Sequence, residues 1–177
     1  MNLYFRLILT LLRAWRLPKL AIDDTIEREF RVLPNDIDIN LHMNNGRYST
    51  IADLMIIEFF ARTGFLKVLL KKKWIPVVGG TIITFRKELK FGQKYRLRYR
   101  WVGGDAHWNY LSFEFLTMDG VLCATGYSKG AAISSKGLVH NDQAYEALGM
   151  EPQTRSLPKA VTFWQESEAH LLMNATS

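Results

Sequence analysis

Residues 36–48 read D-I-D-I-N-L-H-M-N-N-G-R-Y. These thirteen residues hold two Asp, three Asn, one His and one Tyr. A carboxylate in such a loop can attack a carbonyl carbon or activate water. The first turn of a following helix has backbone N–H groups without intrahelical partners, and the helix dipole adds partial positive charge there. Such N–H groups can hold a developing oxyanion. Asp36 and Asp38 are the carboxylates of this stretch, and Asp38 lies in the loop seven residues before Asn45. Its competing use is to cap the loop, and that of His42 is a structural hydrogen bond.

The elements that must position these groups are readable. Thr25–Val32 sets Ile26, Phe30 and Val32 against Glu27, Glu29 and Arg31, the pattern of a half-buried strand, with Arg28 breaking the alternation. A helix is expected from Asn44 or Asn45 to about Arg62, with Ile51, Leu54, Met55, Glu58 and Phe59 on one face and Gly64 as its stop. A second helix covers Phe65–Lys73 and ends in three lysines. Four strands follow: Pro76–Lys90, Lys94–Val102, His107–Leu116 and Val121–Ser134, joined by turns at Gly103-Gly104-Asp105 and Met118-Asp119-Gly120. Tyr95, Leu97, Tyr99 and Trp101 alternate with Lys94, Arg96, Arg98 and Arg100, which belong on a wet outer face. Strand, long helix, then a four-strand meander predicts an α+β fold, a curved antiparallel sheet wrapped around a central helix.

The spacing Asp38-x-Asn40-x-His42-x-Asn44-Asn45-x-x-Tyr48 resembles the signature of the 4-hydroxybenzoyl-CoA thioesterase-like group of the hotdog-fold superfamily. It is also similar to the plant acyl-ACP thioesterases. The longer string from Arg31 to Tyr48 is closer still to the thioesterase superfamily member 6 group. The resemblance covers residues 25–135 and implies a hotdog fold that hydrolyses acyl-CoA or acyl-carrier-protein thioesters without a cofactor. It implies attack by Asp38, or by water that Asp38 activates, with the Asn45 N–H polarising the carbonyl. Asn40 and His42 would assist, His42 by orienting Asp38 or water or by protonating the departing thiolate. Asn44, Tyr48 and Asp36 would hold loop and helix together. Asp53 and Glu88 stand where other branches carry a catalytic carboxylate. The resemblance also implies a homodimer or homotetramer with the site at a subunit boundary. The relatives do not all keep Asn40. The Pro that related hydratases carry between Asn and His is missing, which argues against hydration chemistry.

The 177 residues suffice for one domain with a real core. Three segments are expected: an amphipathic helix over 1–20, the catalytic domain over 21–139, and a helical appendix over 140–177 with helices at Asp142–Leu148 and Ala160–Met173. A net charge of +6 suits an anionic partner such as CoA, a carrier phosphate or lipid head groups. No motif supports nucleic acid, and no Cys/His spacing suggests a metal. The single cysteine, Cys123, excludes an internal disulfide and fits a reducing cytoplasm.

Residues 1–17 are apolar with basic punctuation. Arg6, Thr10 and Arg13 form one narrow face, and Leu, Ile, Phe and Trp cover the rest. The uncharged run Leu7–Leu12 is too short to span a bilayer. Two readings follow. The helix lies on a membrane surface with arginines on lipid phosphates, at the inner face of the cytoplasmic membrane, or it packs on the protein or a second subunit. The rival from another functional class is a non-catalytic, membrane-associated acyl- or lipid-binding protein of the same fold.

Overall fold

A computed structural model describes residues 3–153 and 155–175; residues 1–2 of the expected N-terminal helix lie outside the described residues. The elements in chain order are α1 (Leu3–Arg16), β1 (Ile26–Arg31), α2 (Asn45–Thr63), α3 (Phe65–Lys72), β2 (Ile75–Phe85), β3 (Lys94–Gly104), β4 (Asn109–Thr117), β5 (Leu122–Ser134), β6 (Gly137–Leu138), α4 (Asn141–Leu148) and α5 (Lys159–Ala175). The strands form one antiparallel sheet in the order β1-β3-β4-β5-β2, with β6 added to β5. The sheet curls around α2 in the hotdog arrangement.

The alternation on β3 decides which side is wet. Tyr95, Leu97, Tyr99 and Trp101 are buried with Leu111, Phe113 and Phe115 of β4, and Ile51, Ala52, Met55 and Phe59 of α2 pack onto them. On the other side Arg98 lies opposite both Glu27 and Glu114 and bonds both, at 2.7 and 3.1 Å. These exposed pairs fix register more than they add stability. The curl needs close backbone approach at Gly126, where a Cβ would fall 2.0 Å from the Ile82 carbonyl. Gly64, at φ 86°, ends α2 and starts α3.

Two strand expectations change. The second expected strand, Pro76–Lys90, stops at Phe85. Arg86 and Lys87 both donate to the Cys123 carbonyl, and Leu89 turns into the core, so 86–93 is a connector. Arg28 does not break the pattern of β1. It lies on the inward side with Ile26 and Phe30 because Nη1 reaches Thr10 Oγ1 at 2.8 Å and Glu58 Oε2 at 3.2 Å.

Glu58 is the buried centre of this network. Arg62 reaches it at 3.3 Å and Arg13 at 3.8 Å, besides Arg28. The polar side of α1 therefore faces the protein. Arg6 is 5% exposed and Thr10 is buried, while Tyr4, Phe5, Ile8, Leu9, Leu12 and Trp15 face outward. This corrects the expectation that Arg6 meets lipid phosphates: its partner is Asp36.

The C-terminal residues pack on the same sheet. Val161 and Trp164 of α5 cover Val102 and Tyr110 on the convex side. Asn141 at the start of α4 is buried and bonds Asn109, the Asp105 carbonyl and the Trp108 carbonyl.

Candidate active site

Asp38 sits at the base of a miniature hairpin. Ile37 and Met43 form an isolated antiparallel bridge. Asp38 N–H donates to the His42 carbonyl at 3.0 Å, and Leu41 N–H to the Asp38 carbonyl at 3.1 Å. Leu41 takes a left-handed φ of 62° to close the loop. A turn followed by one left-handed residue is a common three-residue hairpin, but glycine or asparagine usually fills that place. The hairpin leaves two apolar side chains in solvent beside the carboxylate, Ile39 at 96% exposure and Leu41 at 70%.

The same closure brings the side chains of Asp38 and His42 together. His42 Nδ1 lies 3.6 Å from Asp38 Oδ2, too long for a hydrogen bond but within ion-pair reach. Asp38 Oδ1 accepts the Asn40 N–H at 2.8 Å, so the capping use of Asp38 is present beside its contact with His42. Asn40 itself is exposed, as is Asn45.

Asn44 caps α2: its side chain accepts the Gly46 N–H at 2.9 Å. Asn45 is the first residue of the 19-residue α2. Its N–H has no acceptor among the described residues and stands at the positive end of the dipole. The hairpin is tied down on both sides. Met43 N–H donates to the Leu89 carbonyl at 2.8 Å, and Asn44 N–H to the Asp36 carbonyl at 2.8 Å.

Asp36 is the hidden brace. Its carboxylate is fully buried and receives Arg6 Nη2 at 2.5 Å, Leu33 N–H at 3.0 Å and the Arg47 fork at 3.0 and 3.1 Å. Burial alone would raise the carboxyl; the Arg6 hydrogen bond, the Leu33 N–H and Arg47 outweigh it and hold it below the usual range. Sequence reasoning foresaw a structural Asp36 but neither arginine. Arg6 is thirty residues away, and no local pattern links the two. Tyr48 packs edge-on between Phe85 and Phe115, at ring distances of 5.0 and 4.8 Å, and its hydroxyl meets the backbone of Leu89 in the connector. Burial pushes its hydroxyl up to about 12.

The two rival carboxylates separate cleanly. Glu88 is exposed and pairs with Lys90 at 3.2 Å. Asp53 lines an apolar cavity of about 460 Å³ between α2, α3, β2, β5 and α4. Ile56, Phe60, Leu66, Val77 and Tyr145 supply its apolar walls, and Ser128, Asn109 and Asn141 its polar groups. The size suits a small-molecule or acyl-chain site. Asp53 is open to solvent on one side and has no polar partner among the described residues. Desolvation by the walls raises its carboxyl. No residue of 36–48 lines this cavity.

The profile of the thioesterase-like superfamily matches residues 32–165, which hold the hairpin, strands β2 to β6 and most of the cavity. The chain belongs to that superfamily. Protein THEM6 of Danio rerio is 36% identical over 95 residues, 53% of this chain and 47% of that protein. Thioesterase lcsJ of Purpureocillium lilacinum is 26% identical over 136 residues, 61% of this chain and 44% of that one. The chain thus spans about half or less of the length of these curated relatives. In fold it is similar to the probable thioesterase YbaW of Escherichia coli, with a TM-score of 0.64 at 15% identity, covering 70% of this chain and 96% of that one. It is also similar to Slr0204, a 1,4-dihydroxy-2-naphthoyl-CoA thioesterase from Synechocystis, with a TM-score of 0.62 at 12% identity, covering 71% and 95%. Membership in the thioesterase-like superfamily supports thioester hydrolysis as the general chemistry.

Proposed function

We propose that the chain hydrolyses acyl-CoA or acyl-carrier-protein thioesters, with Asp38 as nucleophile or general base. The observation that carries this reading is the hairpin. It sets Asp38 against His42 and runs directly into the unpartnered Asn45 N–H of α2. The carbonyl oxygen takes the Asn45 N–H, where negative charge developing in the transition state meets the helix dipole. His42 orients Asp38 or water, or protonates the departing thiolate. Asn40, whose side chain is exposed beside Asp38, assists.

A homo-oligomer completes the site. β2 is an eleven-residue edge strand with Ile75, Val78 and Phe85 exposed, a template for pairing with another strand. The cavity and the hairpin are separate within one chain, so a second subunit is the natural means of joining a reacting carbonyl to an acyl slot. The same separation favours a second reading, in which the cavity binds an acyl chain without hydrolysing it.

Thiol release from short, long and aromatic acyl-CoAs, and from acyl-carrier proteins, tests the proposal. Release from any class supports the hydrolase, and the preferred member names the substrate. No release from a folded protein that still binds an acyl chain in the cavity favours the second reading.

A further inference from the structure

An amphipathic helix on a globular domain ordinarily turns its apolar face inward. Helix α1 does the reverse. Its inner face is fixed by Arg6 to Asp36, by Thr10 Oγ1, which accepts from Arg28, and by Arg13 to Glu58. Among the described residues of α1, Ala14 is the one fully buried apolar side chain, with Leu7 and Leu11 half-buried. The outer face carries Tyr4 and Trp15 towards its two ends, with Phe5, Ile8, Leu9 and Leu12 between them, all exposed. Trp15 is 79% exposed. A contiguous apolar face of this kind, held rigidly outward, marks an interaction surface.

The charge around the face identifies the occupant. Arg13 and Arg16 border it, and exposed Lys19 follows the helix. No acidic residue occurs before Asp23. Aromatic residues at the ends, aliphatic ones between and basic groups at the margin match the interface of a bilayer with anionic head groups. No described helix is long and apolar enough to cross a membrane.

We infer that the outer face of α1 docks the protein on anionic lipid surfaces, inserting Tyr4, Phe5, Ile8, Leu9, Leu12 and Trp15 to the depth of the head groups. The helix does not detach to do so, because its polar face is already bound. Arg6 joins it to Asp36, two residues before Asp38, so docking fixes the hairpin relative to the membrane plane. Arg16 and Lys19, rather than Arg6 or Arg13, meet the lipid phosphates. This inference does not depend on which reaction the hairpin performs.

The test is co-flotation of the full chain with vesicles of phosphatidylcholine alone and of phosphatidylcholine with a quarter phosphatidylglycerol. It compares wild type with the triple variant Ile8→Ser, Leu12→Ser, Trp15→Ser. All three side chains are exposed, so the variant should keep the wild-type melting temperature and circular dichroism. Flotation with anionic vesicles, reduced at least tenfold in the triple variant and weakened by high salt, is the expected result. Absence of wild-type flotation overturns the inference, as does equal flotation of the variant. Sedimentation velocity without lipid distinguishes the other occupant. A variant that falls from oligomer to monomer, with no wild-type flotation, assigns the face to a second copy of the chain and also overturns it.

Discussion

Arg6 and Asp36 meet at 2.5 Å with both side chains buried, and this contact joins the N-terminal helix to the base of the candidate catalytic hairpin. Arg47 holds the other carboxylate oxygen from the first turns of α2. One carboxylate therefore sets the relative positions of α1, the hairpin and the helix whose N-terminus faces the site. The arrangement is costly to break because either partner alone is a buried charge. Arg6 Nη1 also has no hydrogen-bond partner among the described residues, so the contact is better suited to fixing geometry than to adding stability.

Replacing Arg6 with methionine leaves buried Asp36 with the Leu33 N–H and with Arg47 as its only cation among the described residues. The expected loss is about 3 kcal/mol of unfolding free energy, read by urea denaturation. Asp36→Asn combined with Arg6→Met should recover part of it, because the uncompensated charge is gone. Equal losses in the single and double variants would mean that the pair acts through packing.

The pH dependence of stability carries the signature of Asp36. Its folded carboxyl is held below the ordinary value, so its contribution is complete above the unfolded pKa of about 3.9 and is lost as pH falls through the folded value. Asp36→Asn should flatten the acid limb of the melting-temperature profile. An unchanged limb would place the acid sensitivity elsewhere.

Much of the frame was legible in the sequence, for local reasons. The period of two across Lys94–Trp101 needs only neighbours to be read, and so do the helical face from Ile51 to Phe59 and the stop at Gly64. The partners of charged residues inside the protein were not legible. Arg28 looked like a fault in a strand because its reason for facing inward, Glu58, lies thirty residues away. The two faces of α1 were visible from spacing, but which one turns inward depends on Asp36 and Glu58, and these distant carboxylates reverse the usual rule. The motif located Asp38 and His42 on one loop. That Leu41 must turn left-handed to bring them together is a property of the closed hairpin, and no glycine marked the place.

Leu41 offers a test of the hairpin itself. A leucine in the left-handed region costs about 1 kcal/mol or more, and asparagine tolerates it better. Leu41→Asn should raise the melting temperature slightly, since the side chain is exposed and little packing is lost. If the exposed Leu41 side chain touches substrate, KM rises while kcat holds. A fall in stability would show that Leu41 is held by contacts outside the hairpin.

Asp53 should behave in the opposite sense to Asp36. Desolvation raises its folded carboxyl, so stability present below the unfolded pKa of about 3.9 is lost as pH rises through the folded value. Asp53→Asn should therefore melt higher than wild type at pH 7 and match it in acid. A lower melting point at neutral pH would mean that the carboxylate has a partner, such as one from a second subunit.

The most direct test of the account is single-turnover thioester hydrolysis by Asp38→Asn, beside Asp53→Asn and Glu88→Gln, on the substrate that wild type prefers. The account predicts that Asp38→Asn loses about 100-fold or more in rate while its melting temperature and acyl binding remain near wild type. The other two variants should keep most of the rate. Full turnover by Asp38→Asn, with loss in Asp53→Asn or Glu88→Gln, would contradict it and move the chemistry to the cavity or to the connector.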